Sequence, residues 1–263
     1  MKRILILRPG RTAVEVSRVH GDYDRWFTDA IATARCAFDV CDVTREEIPP
    51  LHQYAGVIVT GAVSAAYRHE PWMTRLITFL SELDVHATPL LGVCFGAQIL
   101  AAARGGRVIL NPQGWEIGGV SIDSSAAALT DPLFPGLPPA FGALATHEDR
   151  IEELPAGAVI LAGNAHTPIQ AFRIGSRVWG VQFHPEATSE VLSILIQLRA
   201  EQLARDATTH GKSAQGHVAR LLESLQSGNV DQGRTVLDNF ITVCLQEARP
   251  RPSRDSQPVP PPV

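Results

Sequence analysis

The five residues Gly92-Val93-Cys94-Phe95-Gly96 set one thiol between two glycines, where an apolar run, Pro89–Cys94, meets a helical pattern, Gly96–Arg104. This is the pattern of a nucleophile elbow. A sharp strand-to-helix turn holds the nucleophile in a strained backbone conformation, and flanking glycines remove Cβ atoms that would clash. The helix that follows points its free N–H groups and positive end at the sulfur, which favours negative charge there. The N–H of Phe95 can also donate to an oxyanion. The same residues would serve a buried strand cysteine eased by glycines, so the motif alone leaves both readings open.

A cysteine nucleophile needs a proton acceptor, and the acceptor needs a partner that fixes its tautomer. The chain has nine histidines. His20, His52, His69, His86, His166, His210 and His217 lie in bland surroundings and read as surface or turn residues. His147 follows a strand-like run in the polar stretch ATHEDR and could line a site. His184 stands apart, just past the apolar run Val178–Phe183 and followed by Pro185 and Glu186. A strand end in an open α/β sheet is where ligands bind. Proline stiffens the turn and lets Glu186 fold back on the ring, holding one nitrogen and stabilising imidazolium. If the strands before Cys94 and His184 are neighbours, thiol and imidazole meet.

The surrounding elements fit that requirement. Ile4–Leu7, Phe38–Val43, Gly56–Thr60 and Pro89–Cys94 read as strands, and Tyr23–Arg35, Trp72–Leu83 and Gly96–Arg104 as helices. Their alternation predicts βαβ units and an open, mostly parallel sheet flanked by helices. From Val108 to Gln182 strand-like runs dominate, the last returning to the main sheet, and Val191–Ala204 reads as one helix. Residues 1–204 are thus expected to form a catalytic domain. Residues 205–248 form a helical extension with amphipathic segments at Ala214–Leu225 and Val236–Leu245, which would cover the domain or meet a second chain. Residues 249–263 form a Pro-rich tail expected to be disordered.

Composition narrows the classes. The chain has 263 residues, a formal net charge of −4, 45% hydrophobic and 19% charged residues. No basic field invites nucleic acid, and no apolar run is long enough to span a bilayer. The apolar run at the N-terminus, four residues from Ile4 to Leu7, is too short for a signal-peptide core, and a cytoplasmic protein is expected. Cys36, Cys41 and Cys244 sit among apolar neighbours and read as core residues. The four cysteines match no zinc spacing.

Together, GVCFGAQ around Cys94 and FHPE around His184 resemble the class I (triad) glutamine amidotransferase family, and in particular its stand-alone branch, similar to the amidotransferase domain of GMP synthase and to γ-glutamyl peptidases. Further segments agree in order: His20-Gly21-Asp22-Tyr23 with Trp26-Phe27; Thr60-Gly61 with Ser64 and Glu70-Pro71-Trp72; Gly114-Trp115-Glu116-Ile117-Gly118; and Thr146-His147-Glu148-Asp149. The resemblance covers roughly residues 1–200. It implies a flavodoxin-like fold, with Cys94 as nucleophile, His184 as general base and acid, and Glu186 as orienting carboxylate. It implies backbone oxyanion donors at Gly61 and Phe95, and substrate contacts at Gln98, with Glu116 and His147 on pocket-lining segments. Two departures bear on the pocket: TGAVSAAY stands at 60–67 where relatives often read GSP or GS, and Glu148 stands where glycine is common.

The implied chemistry is attack of Cys94 on a γ-glutamyl amide, a γ-glutamyl thioester, and hydrolysis to glutamate with release of an amine or ammonia. No metal or organic cofactor is required. The chain carries no synthetase module and no phosphate-cradling glycine loop with a lysine. It would therefore act alone as a γ-glutamyl hydrolase, or as a glutaminase subunit passing ammonia to a separate synthetase chain. A small γ-glutamyl molecule is the expected substrate, and a homodimer or that synthetase subunit the expected protein partner. A non-catalytic binding protein would have no need of all three triad residues.

Overall fold

The computed structural model describes residues 1–31, 35–68 and 70–246. His69 and the 249–263 tail lie outside them.

A nine-stranded sheet forms the centre. In chain order the strands are β1 (Arg3–Arg8), β2 (Ala37–Asp42), β3 (Gly56–Val59), β4 (Leu90–Val93), β5 (Arg107–Leu110), β6 (Glu116–Ser124), β7 (Ala140–His147), β8 (Asp149–Glu153), β9 (Val159–Gly163), β10 (Ala171–Ile174) and β11 (Val178–Val181). The spatial order is β2-β1-β3-β4-β11-β10-β9-β6-β7, with β5 and β8 paired apart. The strands from β2 to β11 in that order are parallel, and those beyond β11 continue antiparallel. The parallel part has the flavodoxin-like order, which gathers ligands at the carboxyl ends of its strands. The last strand of the extended β segment does return to the main sheet, beside β4.

The helices are α1 (Val14–His20), α2 (Tyr23–Ala30), α3 (Pro71–Glu82), α4 (Phe95–Ala103), α5 (Ser189–Leu198), α6 (Ala200–Thr209), α7 (His217–Ser224) and α8 (Thr235–Leu245). The central strands are unbroken apolar runs because both faces are covered. Alternate side chains point to opposite sides. Ile4, Ile6, Ile58 and Leu91 pack with Phe27 of α2 and with Phe240 and Ile241 of α8. Leu5, Leu7, Val57 and Val59 pack with Leu76 and Leu80 of α3 and with Ile99 and Leu100 of α4. Helix α8 thus covers one sheet face, with Phe240 edge-on against Trp179 at 6.4 Å. Cys36, Cys41 and Cys244 are free and buried. Among the described residues no helix is long and apolar enough to cross a membrane.

Four features differ from the sequence reading. The helix expected over Val191–Ala204 is two, α5 and α6, joined at Arg199, whose backbone (φ −104°, ψ 11°) leaves the helical region. The segment expected from Ala214 becomes helical at His217, after Gly216 in the left-handed region. Helix α1 and strand β8 are additions. Each buries a single residue, Val16 and Ile151 respectively, so neither shows the periodicity that marks an element in sequence.

Candidate active site

Strand β4 ends at Cys94 and α4 begins at the next residue. Among the described residues Cys94 is the one non-glycine with positive φ, at φ 51° and ψ −108°. Such a conformation costs about 1–3 kcal/mol and persists only where the surroundings impose it. They do so here. A Cβ on Gly92 would lie 2.5 Å from the Gly96 carbonyl oxygen, and one on Gly96 would strike the Val59 carbonyl. The Cys94 N–H donates to the Val181 carbonyl at 2.8 Å, tying the elbow to β11.

Strand β11 pairs with β4 in parallel register, Val181 beside Val93. The chain beyond Val181 therefore leaves the sheet next to the elbow and carries His184. Its Nδ1–H donates to Glu186 Oε1 at 2.8 Å, and both side chains are buried. That bond leaves Nε2 as the outward nitrogen, and Nε2 is buried without a formed hydrogen bond. Burial disfavours charge on the ring, but the negative charges of Glu186 and of Cys94 outweigh it, and the His184 pKa is pushed up to about 10. The Cys94 thiol makes one polar contact, to the Thr146 carbonyl at 3.9 Å. Gly61 abuts both partners: a Cβ there would lie 3.1 Å from His184 Cε1 and 3.8 Å from Cys94 Cβ. Neither the Gly61 nor the Phe95 N–H donates to any group among the described residues. Free amides at a helix N-terminus beside a nucleophile are the donors that can receive a developing oxyanion.

A second buried constellation lies behind the cavity. The antiparallel β6–β7 register sets Glu116 opposite His147. Glu116 Oε2 accepts from His147 Nε2 at 2.9 Å, Thr167 Oγ1 at 2.8 Å and Gln170 Nε2 at 2.7 Å, and Oε1 accepts from Asn164 Nδ2 at 2.7 Å. Burial opposes the charge on Glu116, but His147 and these donors hold its pKa down to about 2. Replacing Glu116 by alanine orphans the three buried donors on His147, Thr167 and Gln170 and is expected to destabilise the fold by about 3–5 kcal/mol. The Glu116 value is depressed on folding, so its contribution is full above the ordinary carboxylate value and is lost as pH falls towards 2. Urea unfolding of wild type and Glu116→Ala near neutrality and at about pH 3 should therefore show the difference shrink in acid.

The elbow opens on a cavity of about 240 Å³, lined among others by Cys94, Phe95, Gln98, His147 and His184. That is just below the range of about 300–1,000 Å³ usual for drug-sized ligands, and so suits a small substrate. Of the residues singled out in the sequence, Glu186 stands behind His184, and Glu116 stands behind His147 without lining the cavity. Gln98 lines it, yet its side-chain amide donates to the Asp149 carbonyl at 3.0 Å and to Gln182 Oε1 at 3.2 Å. This ties α4 to β8 and to the end of β11. Among the lining residues Arg68 and Arg199 carried no sequence signal, while Tyr67 ends the TGAVSAAY stretch. Tyr67 donates to Asp149 Oδ1 at 3.0 Å across the cavity mouth. Arg199 stacks over Trp115, its guanidinium carbon 5.3 Å from the ring centroid.

Comparison with known proteins gives a consistent result. A family model described as glutamine amidotransferase class-I matches residues 19–196. Gamma-glutamyl peptidase 5 of Arabidopsis thaliana is 28% identical over 204 residues, covering 74% of this chain and 80% of that protein. The glutamine-hydrolysing GMP synthase of Thermosipho melanesiensis is 35% identical over 149 residues, covering 56% of this chain but 27% of that protein. A solved glutamine amidotransferase from Methylobacillus flagellatus superposes with a TM-score of 0.73 at 22% identity, covering 94% of this chain and 97% of that one.

Proposed function

The chain belongs to the class I glutamine amidotransferase family, an enzyme family of γ-glutamyl amide chemistry, and on that footing we propose that it is a self-sufficient, cysteine-dependent γ-glutamyl hydrolase. The observation that carries the reading is one constellation at two adjacent parallel strand ends. It consists of the strained Cys94, the 2.8 Å His184–Glu186 hydrogen bond and the unengaged amides of Gly61 and Phe95.

In the proposed reaction the Cys94 thiolate attacks the γ-carbonyl carbon. The oxyanion takes hydrogen bonds from the Gly61 and Phe95 amides, whose dipoles are fixed before reaction and act in a largely dry site. The His184 imidazolium gives its Nε2 proton to the amide nitrogen, the C–N bond breaks, and the amine leaves. A γ-glutamyl thioester remains on Cys94. Neutral His184 then takes a proton from water as the water attacks the thioester carbon, and glutamate departs with the thiolate restored. Apo catalytic contacts are commonly long and tighten with substrate, in keeping with a thiol that influences His184 without a formed hydrogen bond.

The pH profile follows from the proton donor. Burial lowers the His184 value and the Glu186 charge is the chief influence raising it. Imidazolium is the acid for the leaving group, so kcat/KM should fall as pH rises past the His184 value. In Glu186→Gln this basic limb is expected to move down by about one to two pH units. A basic limb that does not move would remove Glu186 from the account.

The relatives support two assignments of the leaving group. The γ-glutamyl peptidase, matched over 80% of its length, supports independent hydrolysis, and the GMP synthase, matched over 27% of its length, supports ammonia supply to a synthetase chain. The test is glutamate release by the purified protein from glutamine, γ-glutamyl dipeptides and γ-glutamylated amines in parallel. Rapid release from a conjugate and slow release from glutamine is expected. Release from glutamine alone, accelerated by a separate synthetase, would establish the ammonia-supplying subunit instead.

A further inference from the structure

The cavity has two flanks. Residues 62–65, Tyr67, Arg68 and Asp149 form one. The other is built by Tyr23 and Trp26 of α2, Trp115 just before β6, and Leu195 and Arg199 at the end of α5. The second flank adjoins His184. A Cβ on Gly61 would meet the Tyr23 ring at 3.6 Å and His184 Cε1 at 3.1 Å, and Trp26 stands edge-on to Tyr23 at 4.9 Å. In the reaction proposed above His184 delivers a proton to the departing nitrogen, so this flank faces the leaving group.

Arg199 is the cation of that flank. The break between α5 and α6 falls on it and turns it inward rather than along a helix surface. Its Nη1 is 3.4 Å from Thr146 Oγ1, in the residue whose carbonyl lies 3.9 Å from the Cys94 sulfur. Among the described residues its close contacts are that neutral hydroxyl and the face of Trp115. Burial pulls the guanidinium below its ordinary value, and Tyr23, Cys94 and Glu148 oppose that only through space. A partly desolvated guanidinium with no carboxylate in contact is a costly arrangement until an anion joins it. Its planar fork suits a carboxylate, which it can hold through two parallel bonds. Stacking on Trp115 fixes the plane of the fork in advance, which lowers the cost of ordering it when an anion binds.

We propose that Arg199 is the specificity-determining residue for the leaving group and binds a carboxylate two bonds from the departing nitrogen, which makes γ-glutamyl amino acids, rather than glutamine or γ-glutamyl alkylamines, the preferred substrates. This rests on the hydrolase reading above. The aromatic surfaces of Tyr23, Trp26 and Trp115 would then contact the side chain of the released amino acid. No bond to Arg199 forms or breaks; its contribution is to hold the leaving group in line with the His184 proton.

The test compares kcat/KM for γ-glutamyl-alanine, γ-glutamyl-alaninamide and glutamine with the full-length protein, then with Arg199→Met and Arg199→Lys. Wild type is expected to prefer the free acid over the carboxamide by about 10- to 100-fold, the size of a hydrogen-bonded charge contact. In Arg199→Met that ratio should collapse to near unity, and Arg199→Lys should retain part of it. The ratio is internal to each preparation, so partial loss of folded protein does not alter it. Should Arg199→Met fail to fold, the wild-type ratio and Arg199→Lys decide. Equal wild-type rates on acid and carboxamide would overturn the proposal while leaving the hydrolase reading intact. A wild-type preference unchanged in both variants would also overturn it. No glutamate from any of the three compounds would overturn the hydrolase reading and this proposal with it.

Discussion

Cys94→Ala should lose about 10⁴- to 10⁶-fold in kcat/KM for any γ-glutamyl amide, the scale on which removal of a covalent nucleophile is felt when the rest of the machinery is intact. The loss should come without collapse of the fold. Cys94 is nearly buried, but its thiol makes a single weak polar contact. Alanine at φ 51° carries the same Cβ strain as cysteine, so no new backbone cost arises. His184 keeps its bond to Glu186 in the variant, and the ring loses one of the two negative charges that raise its pKa. Glutamate release and far-UV circular dichroism, measured on the same preparation, separate the two outcomes. A variant within tenfold of wild type would remove Cys94 from the reaction.

Gly96→Ala should be the most damaging single-methyl change in the chain. The added Cβ would overlap the Val59 carbonyl and come within 3.1 Å of the Thr60 carbonyl oxygen. Neither side can yield cheaply. Val59 is the last residue of β3 and pairs with both β1 and β4, and Gly96 lies in the first turn of α4, whose residues 95–101 are all buried. Overpacking of a fixed core typically costs about 1–3 kcal/mol, and a clash between two backbone segments belongs at or above the top of that range. Any relief moves α4 away from β3, and with it Cys94 relative to Gly61. Displacement of about 1 Å at a reacting centre costs on the order of 10²-fold in rate. Gly105→Ala is the control. Gly105 has φ +92° but open space around its would-be Cβ, so it should cost about 1–2 kcal/mol in stability and leave turnover near wild type. Thermal unfolding and kcat/KM of both variants check the contrast. Equal damage from the two would contradict the β3–α4 approach as the reason for glycine at 96.

The elbow was legible in the sequence because its requirements are local. Two glycines flanking a cysteine at a strand–helix junction encode a close backbone approach within a few residues, and Gly92 and Gly96 meet carbonyls as that reading requires. His184-Pro185-Glu186 is legible for the same reason, since the carboxylate reaches a ring two positions away. The parallel strands were readable as apolar runs, and their order brings Cys94 and His184 to neighbouring ends. What sequence could not give is register between distant strands. Glu116 and His147 were each assigned to pocket-lining segments, but only the β6–β7 pairing makes them partners, with His147 facing the cavity and Glu116 behind it. Arg199 was invisible because an arginine at the polar end of an apolar helical run reads as a solvated charge; a helix break at that residue turns it inward. The amphipathic stripe of α8 announced a buried face without saying against what, and Trp179 with the first sheet face is the answer. Strand β8, charged at four of its five positions, has no hydrophobic alternation to find.

The most direct measurement is the mass of the protein quenched in acid during turnover of a slowly hydrolysed γ-glutamyl anilide. The account predicts that a fraction of the wild-type chains carries one added γ-glutamyl group, that fragmentation locates it on Cys94, and that hydroxylamine removes it as expected of a thioester. Steady turnover with no adduct at any time, or an adduct on a residue other than Cys94, would contradict it.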